Sequence, residues 1–169
     1  MRKALDTLYD GAAALAALFM VGLLVMVLLS VGGRQLNFYV PGTDAYAGYL
    51  MAASGFLALA HTLKRGEHIR VTLILAALTG HWKKGLELWA LAFACVLTSL
   101  FAFYCCRLSW QSHTFNDIST GSDATPLWMP QIGMAVGTVI LAIAFVDELV
   151  LEIRGQRVVQ SSDEPLRNE

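Results

Sequence analysis

Residues able to do acid–base, redox or metal chemistry are few in this sequence, and their spacing limits what it can do. Four histidines stand at His61, His68, His81 and His113. Haem or quinone chemistry in a membrane calls for paired imidazoles on facing helices. Only His61 falls within an apolar run, a turn before Lys64, and it reads as a polar interfacial residue; the other three are expected in loops. Cys95, Cys105 and Cys106 share one apolar stretch without a C-x-x-C spacing, and adjacent cysteines in a helix do not readily bridge. They read as small apolar residues. Ser109, His113, Asp117 and Asp123 supply the residue types of a nucleophile–base–acid set, but no motif around them fixes one. The stretch that holds them is dense in Asn, Asp, Ser, Thr and Gly, which form turns and caps. No catalytic residue, metal ligand or cofactor is expected.

The composition accounts for this scarcity. Of 169 residues, 56% are hydrophobic and only 15% charged, and the mean hydropathy is +0.56. Soluble domains carry about 25% charged residues because their surface must be solvated. A net charge of −1 provides no basic field for nucleic acid, so no nucleic-acid partner is expected. The chain reads as an all-α membrane protein whose first partner is the lipid bilayer.

Four uncharged runs, Gly11–Gly33, Ala45–Leu63, Leu88–Cys106 and Ala124–Val146, have the length of transmembrane helices. A hydrocarbon core of about 30 Å takes roughly 20 helical residues. None shows the two-residue alternation of a barrel strand. The first run is too long for the core of a secretory signal and lacks a good cleavage site, so it is retained as helix one. No Asp, Glu, Lys or Arg lies deep in a run, whereas an ion or proton path places ionisable groups near the midplane. The prolines sit in loops, in first helical turns or in the tail.

Lys and Arg fix the expected orientation. With four spans, Arg2, Lys3, Lys64, Arg65, Arg70, Lys83, Lys84, Arg154, Arg157 and Arg167 share one side, and only Arg34 and Arg107 lie opposite. Positive charge collects on the cytoplasmic side, which predicts that both termini are cytoplasmic. Lys64 and Arg65 then anchor the end of helix two. Beyond them Val71, Ile74, Leu75 and Leu78 fall on one face of a helix, bracketed by Gly66 and Gly80. This predicts a short amphipathic helix lying in the membrane plane between helices two and three. An ordinary loop with an apolar patch is the competing reading. Residues 1–153 form one membrane domain, and the polar residues 154–169 lack the apolar content to fold and read as a cytoplasmic tail.

The connections carry further signals. "PGTD" at Pro41–Asp44 reads as a turn into helix two with Thr43 or Asp44 as its cap. "SDATPLWMP" leads into helix four, with Pro126 and Pro130 in its first turn. Trp128, Tyr39, Tyr46, Tyr49 and Trp110 stand where interfacial aromatic belts belong. Gly133 and Gly137 form a G-x-x-x-G, and Gly48 with Ala52 a similar pair, spacings that permit close helix contact within the chain or with a partner.

Taken together, "DAYAGYLMAASGFLALAHTLKRG", "KRGEHIRVTLI" and "TPLWMP", in this order, resemble the small membrane subunit of tripartite ATP-independent periplasmic (TRAP) transporters, the DctQ-type permease subunits. The resemblance runs from Arg34 to about Val150. It implies a complex with a large TRAP membrane subunit, which carries the substrate and sodium sites and moves as an elevator. It also implies a periplasmic substrate-binding protein that delivers an organic anion, often a carboxylate such as a C4-dicarboxylate. The small subunit would scaffold the large one in the bacterial inner membrane and contribute to docking, without catalysis. Arg34 matches the basic residue after helix one, and Gly66, His68 and Ile69 match the middle-loop element. Asp44 matches half of an acidic pair, with Ala45 in the other place, and Thr72 stands where an Asp is frequent. The candidate residues for a partner or lipid interface are Arg34, Asp44, Lys64, Arg65, His68, Arg70, Trp128, Gly133 and Gly137. Two other readings stay open, an autonomous small four-helix transporter and a small membrane electron carrier.

Overall fold

A computed structural model describes residues 2–38, 40–65, 81–121 and 123–155. Four helices form there: α1 (Arg2–Gln35), α2 (Thr43–Lys64), α3 (His81–Thr114) and α4 (Trp128–Ile153). The segment expected to lie in the membrane plane, with Gly66, His68 and Arg70, falls outside the described residues, as do Tyr39 and residues 156–169.

Lys3–Gln35, Lys84–Thr114 and Trp128–Ile153 are long and apolar enough to cross a membrane. At 1.5 Å per residue α1 and α3 are each about 51 Å long, well beyond a core of about 30 Å. Both run past the apolar stretches Gly11–Gly33 and Leu88–Cys106 because no Gly or Pro stops the backbone ladder there. They stop instead at asparagine. Asn37 and Asn116 take left-handed φ of 55° and 52°, and the following N–H groups return to the carbonyls of Gly33 and Ser112 at 3.0 Å each. Asparagine thus fills the place that glycine usually takes in this helix stop. His113, expected in a loop, consequently lies in the last turn of α3, and His81, also expected in a loop, is its first residue.

The other two helices also begin differently from expectation. Gly42, not Thr43 or Asp44, stands at the N-terminal boundary of α2, with φ of 83°. A Cβ there would lie 2.9 Å from the Cβ of Asp123, so both the backbone conformation and the close approach favour glycine. Helix α4 begins at Trp128 rather than Ala124, because Pro126 pairs with Ile118 in a short bridge before the helix starts. Pro130 remains in the first turn, where a missing N–H leaves no bond unmade.

Helix α2, about 33 Å long, lacks a continuous 18-residue stretch as apolar as those of the other three. Its hydroxyls bond its own backbone: Ser54 to the Met51 carbonyl and Thr62 to that of Leu59, both at 2.9 Å. It also occupies the middle of the fold. The main packing runs α1–α2, α2–α4 and α4–α3, which gives an open row of helices. Toward the Lys64 end, Tyr9, Ala12 and Ala16 of α1, Leu57, Ala60 and Leu63 of α2, and Ile140, Leu141 and Ala144 of α4 form one core. The alanines let the backbones come close. The outward flanks of α1 and α3 stay apolar: Leu18 is 63% exposed and Phe103 61%. Surfaces of that kind suit hydrocarbon, where backbone polar groups must be satisfied inside the helices.

Candidate functional site

Polar side chains gather at the two ends of the row. At one end, the last turn of α1 faces the first turn of α2. Arg34 reaches Asp44 at 3.3 Å, and the Ser30 hydroxyl donates to the other carboxylate oxygen at 2.7 Å. The pair is exposed, so by itself it adds at most about 1 kcal/mol to stability. It lies on the wall of a cavity of about 440 Å³ whose lining includes Leu29, Phe38, Val40 and Gly121.

At the same end the α3–α4 connection is tied to α2. Asp123 accepts hydrogen bonds from Ser119 at 2.8 Å and from Tyr49 at 3.2 Å, while the hydroxyls of Tyr46 and Thr125 are hydrogen-bonded to each other at 2.9 Å. Partial desolvation raises the Asp123 pKa, but hydrogen bonds from Ser119, Thr125 and Tyr49 outweigh it and hold the carboxyl below its usual range. Nearby, the His113 ring stands edge-on to Trp128 with centroids 5.3 Å apart, so Trp128 is engaged inside the chain and half-buried.

The opposite end is built around Lys64. Its ammonium, largely buried, bonds Asp147 and reaches Glu148 at 3.2 Å, and it lies 5.5 Å from the centre of the Tyr9 ring. One helix end therefore clamps α2 to α4 through two carboxylates and a cation, with an aromatic face from α1 beside them. A turn earlier, His61 Nδ1 lies 3.5 Å from an Asp10 oxygen. Arg65 closes α2 by returning its N–H to the His61 carbonyl at 3.0 Å, and its side chain is exposed.

Between these ends α2 and α4 touch at glycine. A Cβ on Gly133 would stand 2.7 Å from the Cβ of Ala53, and one on Gly137 2.6 Å from the Phe56 carbonyl carbon. The close approach permitted by G-x-x-x-G is therefore made to α2 of the same chain. Gly48 has no atom within 4 Å of its would-be Cβ. Among the described residues, no three His, Cys, Asp or Glu side chains converge as they would around a metal ion.

A family model described as "Tripartite ATP-independent periplasmic transporters, DctQ component" matches residues 23–155, from the middle of α1 to the end of α4. The chain belongs to the DctQ family. It is therefore a TRAP transporter component, the small permease subunit, of a family that works with a large membrane subunit and a binding protein. No curated protein matches the sequence.

Of the residues singled out from the DctQ-like sequence, Arg34 and Asp44 meet each other, Lys64 joins α4, Trp128 meets His113, and Gly133 and Gly137 meet α2. His68 and Arg70 lie outside the described residues. Sequence reasoning missed Tyr9, Asp10, Asp147 and Glu148, and it read Asp123 only as a turn residue, not as the acceptor that ties the connection to α2. For Asp147 and Glu148 a signal existed, an acidic pair directly after an apolar run. Without the fold nothing linked it to a lysine 83 residues away.

Proposed function

We propose that this chain spans the bacterial inner membrane four times, α2 included, with both termini in the cytoplasm. In this reading it scaffolds the large TRAP subunit for sodium-coupled, binding-protein-dependent uptake of an organic anion such as a C4-dicarboxylate. The family match carries the reading. Further support comes from the ion pairs among the described residues: they form at the helix ends rather than along a path through the middle. A chain that moved a charged solute alone would be expected to keep ionisable groups near the midplane. The orientation rests on the bias of Lys and Arg toward the Lys64 end. The Asp44 end then faces the periplasm, where the binding protein arrives, and residues 154–169 form a cytoplasmic tail.

The experiment is a mild-detergent pull-down of the tagged chain from native membranes, with mass spectrometry of the proteins retained. A large polytopic protein at near-equal stoichiometry is expected. A homo-oligomer without such a partner, seen in several detergents and in native lipid discs, sinks the scaffold reading and favours an autonomous transporter. Labelling of single cysteines placed at positions 36 and 65, in a variant lacking Cys95, Cys105 and Cys106, tests the orientation separately. Position 36 is expected to react from the periplasm and position 65 only after permeabilisation.

A further inference from the structure

We propose that the cavity beside Arg34 and Asp44 is a binding site for a zwitterionic aminophospholipid headgroup, with phosphate on Arg34 and primary ammonium on Asp44. The observation is an exposed ion pair set in a pocket at the end of an apolar helix. The cavity of about 440 Å³ falls in the roughly 300–1,000 Å³ range of small-ligand clefts. Arg34 spends one contact on Asp44, at 3.3 Å, and a guanidinium has five N–H donors in a fork that matches phosphate oxygens. The Asp44 carboxylate accepts one bond from Ser30 and one from Arg34, and a carboxylate offers about four lone-pair sites. Donor and acceptor capacity of opposite charge thus stand side by side on one wall. That is the complement of a phosphate diester joined to an ammonium.

Charge decides among headgroups. Arg34 and Asp44 cancel, so the wall carries no net attraction for an anionic lipid, while a neutral zwitterion satisfies both groups. A quaternary ammonium has no N–H to donate to Asp44, which favours the primary amine. The position suits a lipid as well. Leu29 belongs both to the lining and to the exposed flank of α1 formed with Val21, Val25 and Leu28, along which an acyl chain can lie. Arg34 follows directly on that apolar stretch, at headgroup depth. Assignment to the periplasmic leaflet rests on the orientation proposed above; binding itself does not.

The test uses the full-length chain, purified in mild detergent and exposed to equal amounts of phosphatidylethanolamine, phosphatidylglycerol and phosphatidylcholine, with retained lipid read by native mass spectrometry. The wild-type chain is expected to retain phosphatidylethanolamine over the other two. Asp44→Asn leaves Arg34 uncompensated and is expected to move the ratio about fivefold toward phosphatidylglycerol, the fold-change of one unit charge at a membrane surface. Arg34→Gln is expected to abolish the preference. Unchanged helical content and melting temperature in both variants show that folding is intact. Equal retention of the three lipids by wild type, or the same preference in all three proteins, overturns the proposal. So does unchanged lipid retention accompanied by weaker co-purification of the large subunit, which assigns the wall to a protein contact. Loss of the labelling pattern at positions 36 and 65 would overturn the orientation without touching the lipid preference.

Discussion

Replacing Gly137 by alanine is expected to destabilise the chain, although the same change elsewhere in these helices does the opposite. An alanine Cβ at position 137 stands 2.6 Å from the Phe56 carbonyl carbon and 2.7 Å from its oxygen, about 0.8 Å short of the 3.4 Å at which ordinary contact begins. The obstructing atoms are backbone of α2, so no rotamer change clears them and the two helices must part. Overpacking of this kind costs about 1–3 kcal/mol. Alanine for glycine inside a helix returns about 1 kcal/mol, since glycine loses more backbone freedom on ordering. The balance for Gly137→Ala is a net loss of up to about 2 kcal/mol. Gly55 is the control, with no atom within 4 Å of its would-be Cβ, so Gly55→Ala is expected to gain up to about 1 kcal/mol. Reversible unfolding in mixed micelles under an SDS gradient measures both. Equal unfolding free energies for the two variants would refute the inference that α2 and α4 are held at backbone contact by this glycine. The same geometry bears on assembly. Leucine at both 133 and 137 is expected to weaken co-purification with the large subunit by disrupting this chain first, which a loss of its own melting transition detects.

Three further outcomes follow from the polar ends. Lys64→Met leaves Asp147 and Glu148 largely buried without their cation, and is expected to lower unfolding stability by about 3 kcal/mol, with partial recovery when Asp147→Asn and Glu148→Gln are added; no recovery in the triple variant would show that the clamp is not electrostatic. Arg34→Ala is expected to change stability by less than about 1 kcal/mol in the same assay, because its ion pair is exposed; a larger loss would mean that Arg34 packs rather than pairs. Asp123 has a depressed pKa in the folded chain, so its contribution is present above the unfolded value near 3.8 and is lost as pH falls through the lower folded value. Melting temperature should therefore fall more steeply below that pH in the wild type than in Asp123→Asn, and parallel profiles would remove Asp123 from the acid response.

The positions of three long apolar helices, and of a fourth whose apolar stretch is less continuous, were legible because lipid compatibility is a property of contiguous residues. The same holds for the glycine pair, whose spacing announces a close helix contact. Helix ends were less legible. Asn37 and Asn116 stop α1 and α3 beyond the apolar runs, α3 by more than two turns, since intrahelical hydrogen bonds depend on backbone geometry and not on hydropathy. Gly42 displaced two good capping residues because its neighbour in space, Asp123, left no room for a side chain. Nothing local to Gly42 predicts Asp123.

Composition and local order alone determined that this chain is helical, apolar on its outer flanks and built from the DctQ pattern. They also kept charged residues out of the long apolar runs, because solvation penalises an unpaired charge wherever the segment is buried. Tertiary structure alone decided which of those groups meet. Lys64 finds Asp147 and Glu148, Tyr49 finds Asp123, and Gly137 finds the Phe56 backbone, across separations of up to 84 residues. Such pairings depend on the relative rotation and depth of whole helices. Those are set by packing summed along their full length, which no short stretch of sequence encodes.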